Sequence, residues 1–241
     1  MSAPAVKVAL VGMGRMGRAL DALAPERGIE IVARLDAPEM ARGLTVADLG
    51  GAQVAIEFTT PETALPNAEA LLALGCPVVI GTTGWNAQLP RLDAAVRANG
   101  QSALWAPNFS LGVQLFLALA EDVARRAREL SGFDVHVVET HHTAKKDAPS
   151  GTGIAIGERL EAGLGREVPI TSVRVGSVPG THEVLLDAAF EQISLTHTAR
   201  DRRVFADGAL AAARWLSVSR EPAVYTMRDV LTSSPTLTDA P

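Results

Sequence analysis

Several resources are missing from this chain. One cysteine, Cys76, stands in 241 residues, which excludes an intrachain disulfide and any multi-cysteine metal site. A basic run is also absent. Lys+Arg number 22 against Asp+Glu 27, a net charge of −5, so little electrostatic attraction exists for nucleic acid or an anionic membrane. The most apolar stretch, FSLGVQLFLALA from Phe109, is broken by Ser110 and Gln114 and falls short of the roughly 20 residues that span a bilayer. The opening MSAPAVKVALVG enters a strand pattern without the layout of a signal peptide. These absences point to a soluble cytoplasmic protein with a small-molecule substrate and neither nucleic acid nor membrane as partner. No internal repeat is visible. The polar end TSSPTLTDAP is expected to be mobile.

Apolar residues make up 47% of the chain, enough for one large domain or two smaller ones. VKVALVGMGRMGRALDAL begins with an apolar strand, Val6 to Val11, and turns through Gly12, Gly14 and Gly17 into an amphipathic helix. Gly12 permits the tight turn, Gly14 lets the backbone approach a pyrophosphate, and Gly17 lets the helix pack against the strand. A second strand, IEIVARLD, ends in Asp36 at about the 20-residue offset of a ribose-binding acid. Further strands are expected to end at Phe58 and Ile80, each followed by a Thr-rich turn and a helix. Short apolar strands alternating with helices imply a parallel sheet of Rossmann type, whose ligands bind beyond the carboxyl ends of the strands. The turns at Gly12–Gly17, Phe58–Pro61 and Gly81–Gly84 are therefore expected to converge.

From Leu111 to Leu130 a helix is expected, with Leu115, Leu119 and Val123 as its core stripe. FDVHVVETHH, PITSVRVGS, THEVLLDAAF and EQISLTHTA then read as strands, with a helix inserted after the first. The fold class expected is α/β, with a parallel-sheet nucleotide domain and an α+β substrate and oligomerisation domain whose open mixed sheet carries helices on one face. The domain boundaries expected are 1–109 with 217–241, and 110–216. A sheet covered on one side only favours burial against another subunit.

The densest chemistry lies in ETHHTAKKDAPSGTG, residues 139–153. Ser150, Gly151 and Thr152 precede a helix, so their N–H groups stand where an anion is favoured. His141 and His142 can serve one site only where the strand has already ended. A carboxylate held at the SGTG turn would then lie beside Lys145 or Lys146 and the histidine pair. Zinc on His136, His141, His142 and Asp147 is the competing chemistry. Adjacent histidines are poor zinc ligands and two lysines repel the ion, so no metal is expected. Covalent catalysis by Cys76 is set aside because no histidine lies near it in sequence.

ETHHTAKKDAPSGTG resembles the signature E-x-H-H-x-x-K-x-D-x-P-S-G-T-A of the 4-hydroxy-tetrahydrodipicolinate reductases, formerly called dihydrodipicolinate reductases. The likeness extends to GRMG at Gly14, EFTTP at Glu57, GTTG at Gly81, APNFSLGVQ at Ala106 and YTMRDVL at Tyr225. Four departures stand out: a glycine loop one residue short, Glu57 for the common Asp, Gln114 for Asn, and Gly153 for Ala. The resemblance implies hydride transfer from NADH or NADPH to C4 of a cyclic dicarboxylate imine, with loss of water, in lysine and diaminopimelate biosynthesis. It implies His141 and Lys145 as the acid/base pair, and His142, Lys145, Ser150, Gly151 and Thr152 as substrate contacts. The nucleotide would be held by Gly12, Met13, Gly14, Arg15, Met16, Gly17, Asp36, Phe58, Thr59, Gly81, Thr82, Thr83, Ala106, Pro107, Asn108 and Phe109. A homotetramer joined through the second-domain sheets is implied as well. Asp36 favours NADH, with Arg15, Arg34 and Arg42 placed to admit some NADPH. Two rivals are a nucleotide-sensing protein without turnover and a reductase of another small dicarboxylate or phosphorylated substrate.

Overall fold

The computed structural model describes residues 4–130, 132–218 and 220–232; the tail expected to be mobile lies almost wholly outside them. The chain forms two compact units, one running through Ser110 and again from Phe205, the other Leu111–Val204.

In the first unit, β1 (Val6–Val11), β2 (Ile29–Leu35), β3 (Val54–Glu57), β4 (Val78–Ile80), β5 (Ala103–Trp105) and β10 (Val224–Tyr225) make one sheet in the order β10-β5-β4-β3-β1-β2. Every pairing is parallel. The crossovers include α1 (Arg15–Leu23), α2 (Ala37–Ala41), α3 (Pro61–Ala73) and α4 (Leu89–Asn99). Val8, Val54, Ala55, Val78, Val79 and Ile80 are fully buried. These central strands are covered on both faces, which is why they read as unbroken apolar runs rather than alternating ones. The chain leaves β1 toward β2 on one side and returns to β3 on the other, so a crevice opens at the carboxyl end of β1.

The second unit holds β6 (Asp134–His141), β7 (Ile170–Arg174), β8 (Thr181–Ala188) and β9 (Glu191–Thr198) in the order β7-β6-β8-β9. The β6–β7 pair is parallel and the others antiparallel. Helices α5 (Leu111–Arg128) and α6 (Gly151–Leu164) cover one face. This is the expected mixed sheet.

Two expectations are corrected. The core stripe of α5 is not Leu115, Leu119 and Val123, since Leu115 is 55% and Leu119 48% exposed. The buried face is Val113, Phe116, Ala120, Ala124 and Ala127. Small residues win there because α5 and α6 pack backbone to backbone: a Cβ on Gly163 of α6 would lie 2.5 Å from that of Ala124. The return to the first unit also comes near Val204 rather than Leu216. Helix α7 (Arg203–Leu216) packs in the first unit, where a Cβ on Gly208 would fall 1.7 Å from the Phe109 carbonyl oxygen. The ion pair of Arg27 with Asp207 at 2.5 Å ties the same helix to the chain just ahead of β2. Finally, β10 adds to the edge of β5, as the apolar segment after α7 suggested.

Candidate active site

In the first unit, the turn after β1 is shaped by close approach. Gly12 has φ +93°, and a Cβ there would lie 2.1 Å from the Phe58 carbonyl oxygen. Gly17 faces the Gly12 carbonyl in the same way, at 2.1 Å. Gly14 is different: nothing stands within 4 Å of where its Cβ would be. It caps α1 from an extended backbone and leaves the helix N-terminus open. That bare surface fits a dinucleotide pyrophosphate, which needs close backbone N–H groups and no side chain in the way. Arg15 is exposed and Met13 and Met16 half-buried beside it.

Strand β3 closes the crevice. Glu57, its last residue, is fully buried and accepts a hydrogen bond from the Thr59 hydroxyl. Burial pushes the Glu57 carboxyl up, against the lowering effect of bonds from Thr59, Thr82 and Asn67. The Thr59 amide donates to Thr82 Oγ1 at 2.8 Å, joining the turn after β3 to the turn after β4. Thr82 is fixed from below as well, its carbonyl accepting the Trp85 indole N–H at 2.7 Å and the Trp105 N–H at 3.4 Å. Phe58 lies over Gly81, where a Cβ would come within 2.0 Å of the ring, and its centroid is 5.9 Å from that of buried Phe109. Asn108 Oδ1 accepts the Ser110 amide at 2.9 Å and shapes the turn after β5, in which Ala106 is buried and Pro107 exposed. Thr83 is exposed in the turn after β4. Of the three turns expected to converge, those after β3 and β4 are thus joined by a hydrogen bond, and the glycine turn after β1 lies against the Phe58 carbonyl.

Asp36 directly follows β2 and caps α2, accepting the Ala37 amide at 3.0 Å while Glu39 reaches back to the Asp36 amide at 2.9 Å. Two of the three arginines expected to reach a phosphate there are engaged. Arg34 forks onto Asp21 at 2.8 and 2.6 Å, and Arg42 onto Asp48. Cys76 is 3% exposed and burial pushes its thiol up to about 12. Such a thiol is inert as a nucleophile.

In the second unit, β6 ends at His141, so His142 is released from strand alternation, as a shared site requires. Sheet register assembles the rest. Glu139 stands opposite His182 on β8, and His141 opposite Arg174 on β7. Glu139 is fully buried, accepting the Ser150 amide at 3.0 Å and the Arg174 guanidinium at 2.8 Å. Burial would raise its carboxyl, but the bonds from Ser150 and Arg174 outweigh it and hold it down to about 2. Its second oxygen, Oε2, lies 3.4 Å from His141 Nδ1 and 3.8 Å from His182 Nε2. Neither Oε2 nor His141 Nδ1 makes a hydrogen bond, so the carboxylate faces that ring nitrogen as an ionic neighbour, the side from which a carboxylate sets the tautomer of an acid/base imidazole. The His141 and His182 rings meet edge to face, with centroids 5.1 Å apart. Burial, then the positive charges of Lys145 and Arg174, lower the His141 pKa against the opposing pull of Glu139.

Helix α6 begins at this cluster. Ser150 caps it, its Oγ accepting the Gly153 amide at 3.0 Å and lying 3.3 Å from His182 Nε2. Gly151 has nothing within 4 Å of a would-be Cβ, so the first turn is open to an anion. Lys145 is largely covered and pairs with Asp147 at 2.8 Å, while Lys146 is exposed. Of the zinc ligands considered, His136 is on the opposite sheet face, bonded to Thr171 Oγ1 at 2.8 Å. Among the described residues, Glu139, His141 and His182 do bring donor atoms within 4.8 Å of one another. The Arg174 guanidinium on the same carboxylate opposes a cation there, and the trio serves better as a carboxylate orienting imidazoles. Arg174 and His182 were missed in the sequence. The available signal was alternation: Glu139 and His141 share a face with buried Val135 and Val137, as His182 does with Val184 and Leu186.

A parallel sheet with an open glycine turn, followed by a sheet that seats an oriented imidazole and a lysine at a helix N-terminus, is the build of a nicotinamide-nucleotide oxidoreductase. Comparison with known proteins narrows the class. Residues 6–109 match the family model described as "Dihydrodipicolinate reductase, N-terminus", and residues 112–231 that described as "Dihydrodipicolinate reductase, C-terminus". The chain belongs to the dihydrodipicolinate reductase family. It is 38% identical to the 4-hydroxy-tetrahydrodipicolinate reductase of Thiobacillus denitrificans, over 94% of this chain and 98% of the relative. Identity to the enzyme of the same name from Methanospirillum hungatei is 34%, over 95% and 100%. Among solved structures, a dipicolinate-bound dihydrodipicolinate reductase from Paenisporosarcina superposes with a TM-score of 0.77 at 21% identity, covering 92% of this chain and 97% of the other. The diaminopimelate dehydrogenase of C. glutamicum shares the fold more distantly, with a TM-score of 0.56 at 15% identity over 97% and 95%.

Proposed function

We propose that this protein reduces 4-hydroxy-tetrahydrodipicolinate to tetrahydrodipicolinate, with loss of water, in lysine and diaminopimelate biosynthesis. The reduced nicotinamide supplies a hydride to ring C4, and the 4-hydroxyl departs as water with one proton taken up, so that hydride plus proton balance the water released. Glycines 12, 14 and 17 seat the pyrophosphate, Asp36 the adenosine ribose, and the turns at Phe58–Thr59, Gly81–Thr83 and Ala106–Phe109 the nicotinamide end. Met13, Arg15 and Met16 line the phosphate turn. NADH is the preferred cofactor because a 2′-phosphate would meet the charge of Asp36, with some use of NADPH.

His141 and Lys145 form the acid/base pair. Glu139 is a positioning residue that orients His141 by holding its Nδ1 side. The dicarboxylate is bound by His142, Lys145, Ser150, Gly151 and Thr152, where the α6 N-terminus and the lysine favour negative charge. The observation that carries this reading is the buried Glu139 standing 3.4 Å from His141 at the mouth of an anion-binding helix. The open face of the second-unit sheet, where Val138, Thr140 and Leu185 are only partly covered, suits assembly into a homotetramer. The protein is expected to be cytoplasmic.

Binding of pyridine-2,6-dicarboxylate tests the substrate site. The wild type should bind it and Lys145→Ala at least 10-fold more weakly, the scale of one charge-assisted contact of about 1.5–3 kcal/mol. Equal affinity for inorganic phosphate and the dicarboxylate would favour a phosphorylated substrate instead.

A further inference from the structure

The adenosine-ribose end holds more acid than Asp36 alone, and that acid is organised. Arg42 directly follows α2, one short helix beyond Asp36. Its guanidinium forks onto Asp48, NH2 to Oδ1 at 2.5 Å and NH1 to Oδ2 at 3.2 Å. Asp48 is not a loose surface acid. Its side chain is 18% exposed, and Oδ2 takes both the Thr45 amide at 2.8 Å and the Thr45 hydroxyl at 2.7 Å. The same bonds cap the single 3-10 turn Val46–Leu49. Asp48 is therefore a fixed acceptor, and Arg42 loses a two-point contact if it turns away. Glu39, bonded to the Asp36 amide, lies in the field of both Arg42 and Asp48, which makes the four side chains one patch. Arg34 is committed in the same manner to Asp21 on α1.

We propose that Asp48 is a specificity-determining residue that holds Arg42 away from the 2′-phosphate of NADPH, so that selectivity for NADH rests on an arginine clamp as well as on Asp36. A 2′-phosphate arriving at Asp36 meets three carboxylates and one guanidinium already neutralised. Without Asp48, Arg42 becomes a phosphate ligand. The inference rests on the reading that the nucleotide lies at the glycine turn with its adenosine ribose at Asp36.

The test is equilibrium binding of NADH and NADPH by titration calorimetry. Asp48→Asn keeps an oxygen for Thr45 and removes the charge that holds Arg42. It should tighten NADPH by about 5–20-fold, one charge-assisted contact discounted for the solvent exposure of Arg42, and move NADH less than about twofold. Arg42→Ala in the otherwise wild-type chain should weaken NADPH by no more than about twofold, the solvent-screened effect of leaving Asp48 unpaired. The double variant should lose the gain made by Asp48→Asn. Asp48→Ser repeats the comparison should the asparagine destabilise the turn. NADPH binding weakened more than about fivefold by Arg42→Ala alone, no gain in either Asp48 variant, or a gain that survives in the double variant would each overturn the clamp. Gly14→Val separates this from the underlying reading: its side chain enters open space and should abolish binding of both nucleotides. If NADH binding is indifferent to Gly14→Val, the site reading fails and the clamp with it. If NADH behaves as expected and NADPH does not move, only the clamp fails.

Discussion

The acid/base role proposed for His141 rests on what Glu139 cannot do. A fully buried carboxylate bound by Arg174 and the Ser150 amide stays ionised at physiological pH, so it orients the imidazole without taking its proton. His141→Gln should lower kcat by about 10²–10⁴ while leaving nucleotide affinity nearly unchanged, and single-turnover kinetics beside calorimetry check both halves. Lys145→Ala should lower kcat and raise KM, whereas exposed Lys146→Ala should do little; equal effects would shift the lysine assignment. His182 makes a stability claim with a definite sign. Burial, and then the neighbouring His141, depress its pKa to about 4. Between about 6.5 and 4 the unfolded chain binds a proton that the folded chain refuses, so stability is present above about 6.5 and is lost as pH falls, by up to about 3 kcal/mol. Denaturant melts of His182→Gln should show a shallower loss across that window. At this scale the signature residues were legible in the sequence because they are contiguous. Arg174 and His182 were not, because only β6–β7 and β6–β8 register brings them in.

Among the elements, the strands of the first sheet and the glycine turn were legible because full burial leaves a continuous apolar run and close approach demands glycine. Helix α5 was not. It carries two apolar stripes, and volume favours the leucines, while the packing uses the alanines that let α6 come close. The distinction is measurable. Phe116→Ala should cost about 3–5 kcal/mol, as for a large core side chain, and Leu119→Ala less than about 1 kcal/mol in the isolated chain, as for an exposed one. Urea melts of the two variants decide it, and a larger loss for Leu119 would restore the leucine face to the core. Helix α7 was misplaced for a related reason: nothing in GALAAARWL says which unit its alanines meet, and contacts such as Gly208 on Phe109 and Asp207 with Arg27 settle it.

For the whole molecule, the proposed function gives each unit a separate chemical capacity, a nucleotide cradle in one and an oriented acid beside an anion site in the other. The open face of the second sheet sets the expected assembly. Light scattering should give a mass about four times that of the chain, and Leu185→Arg, placing a charge on that face, should reduce it by dissociation. A monomeric wild type would remove the sheet as an interface. The family assignment came from a motif order running nearly the length of the chain, whereas the proposed cofactor choice rests on ion pairs between residues whose pairing no motif announces. The most direct measurement is a coupled assay in which an upstream synthase makes the substrate from pyruvate and aspartate semialdehyde while nicotinamide absorbance is followed. The account requires a synthase-dependent loss of absorbance, faster with NADH than with NADPH and reduced at least about 100-fold in His141→Gln. No loss with either cofactor, or full activity in that variant, would contradict it.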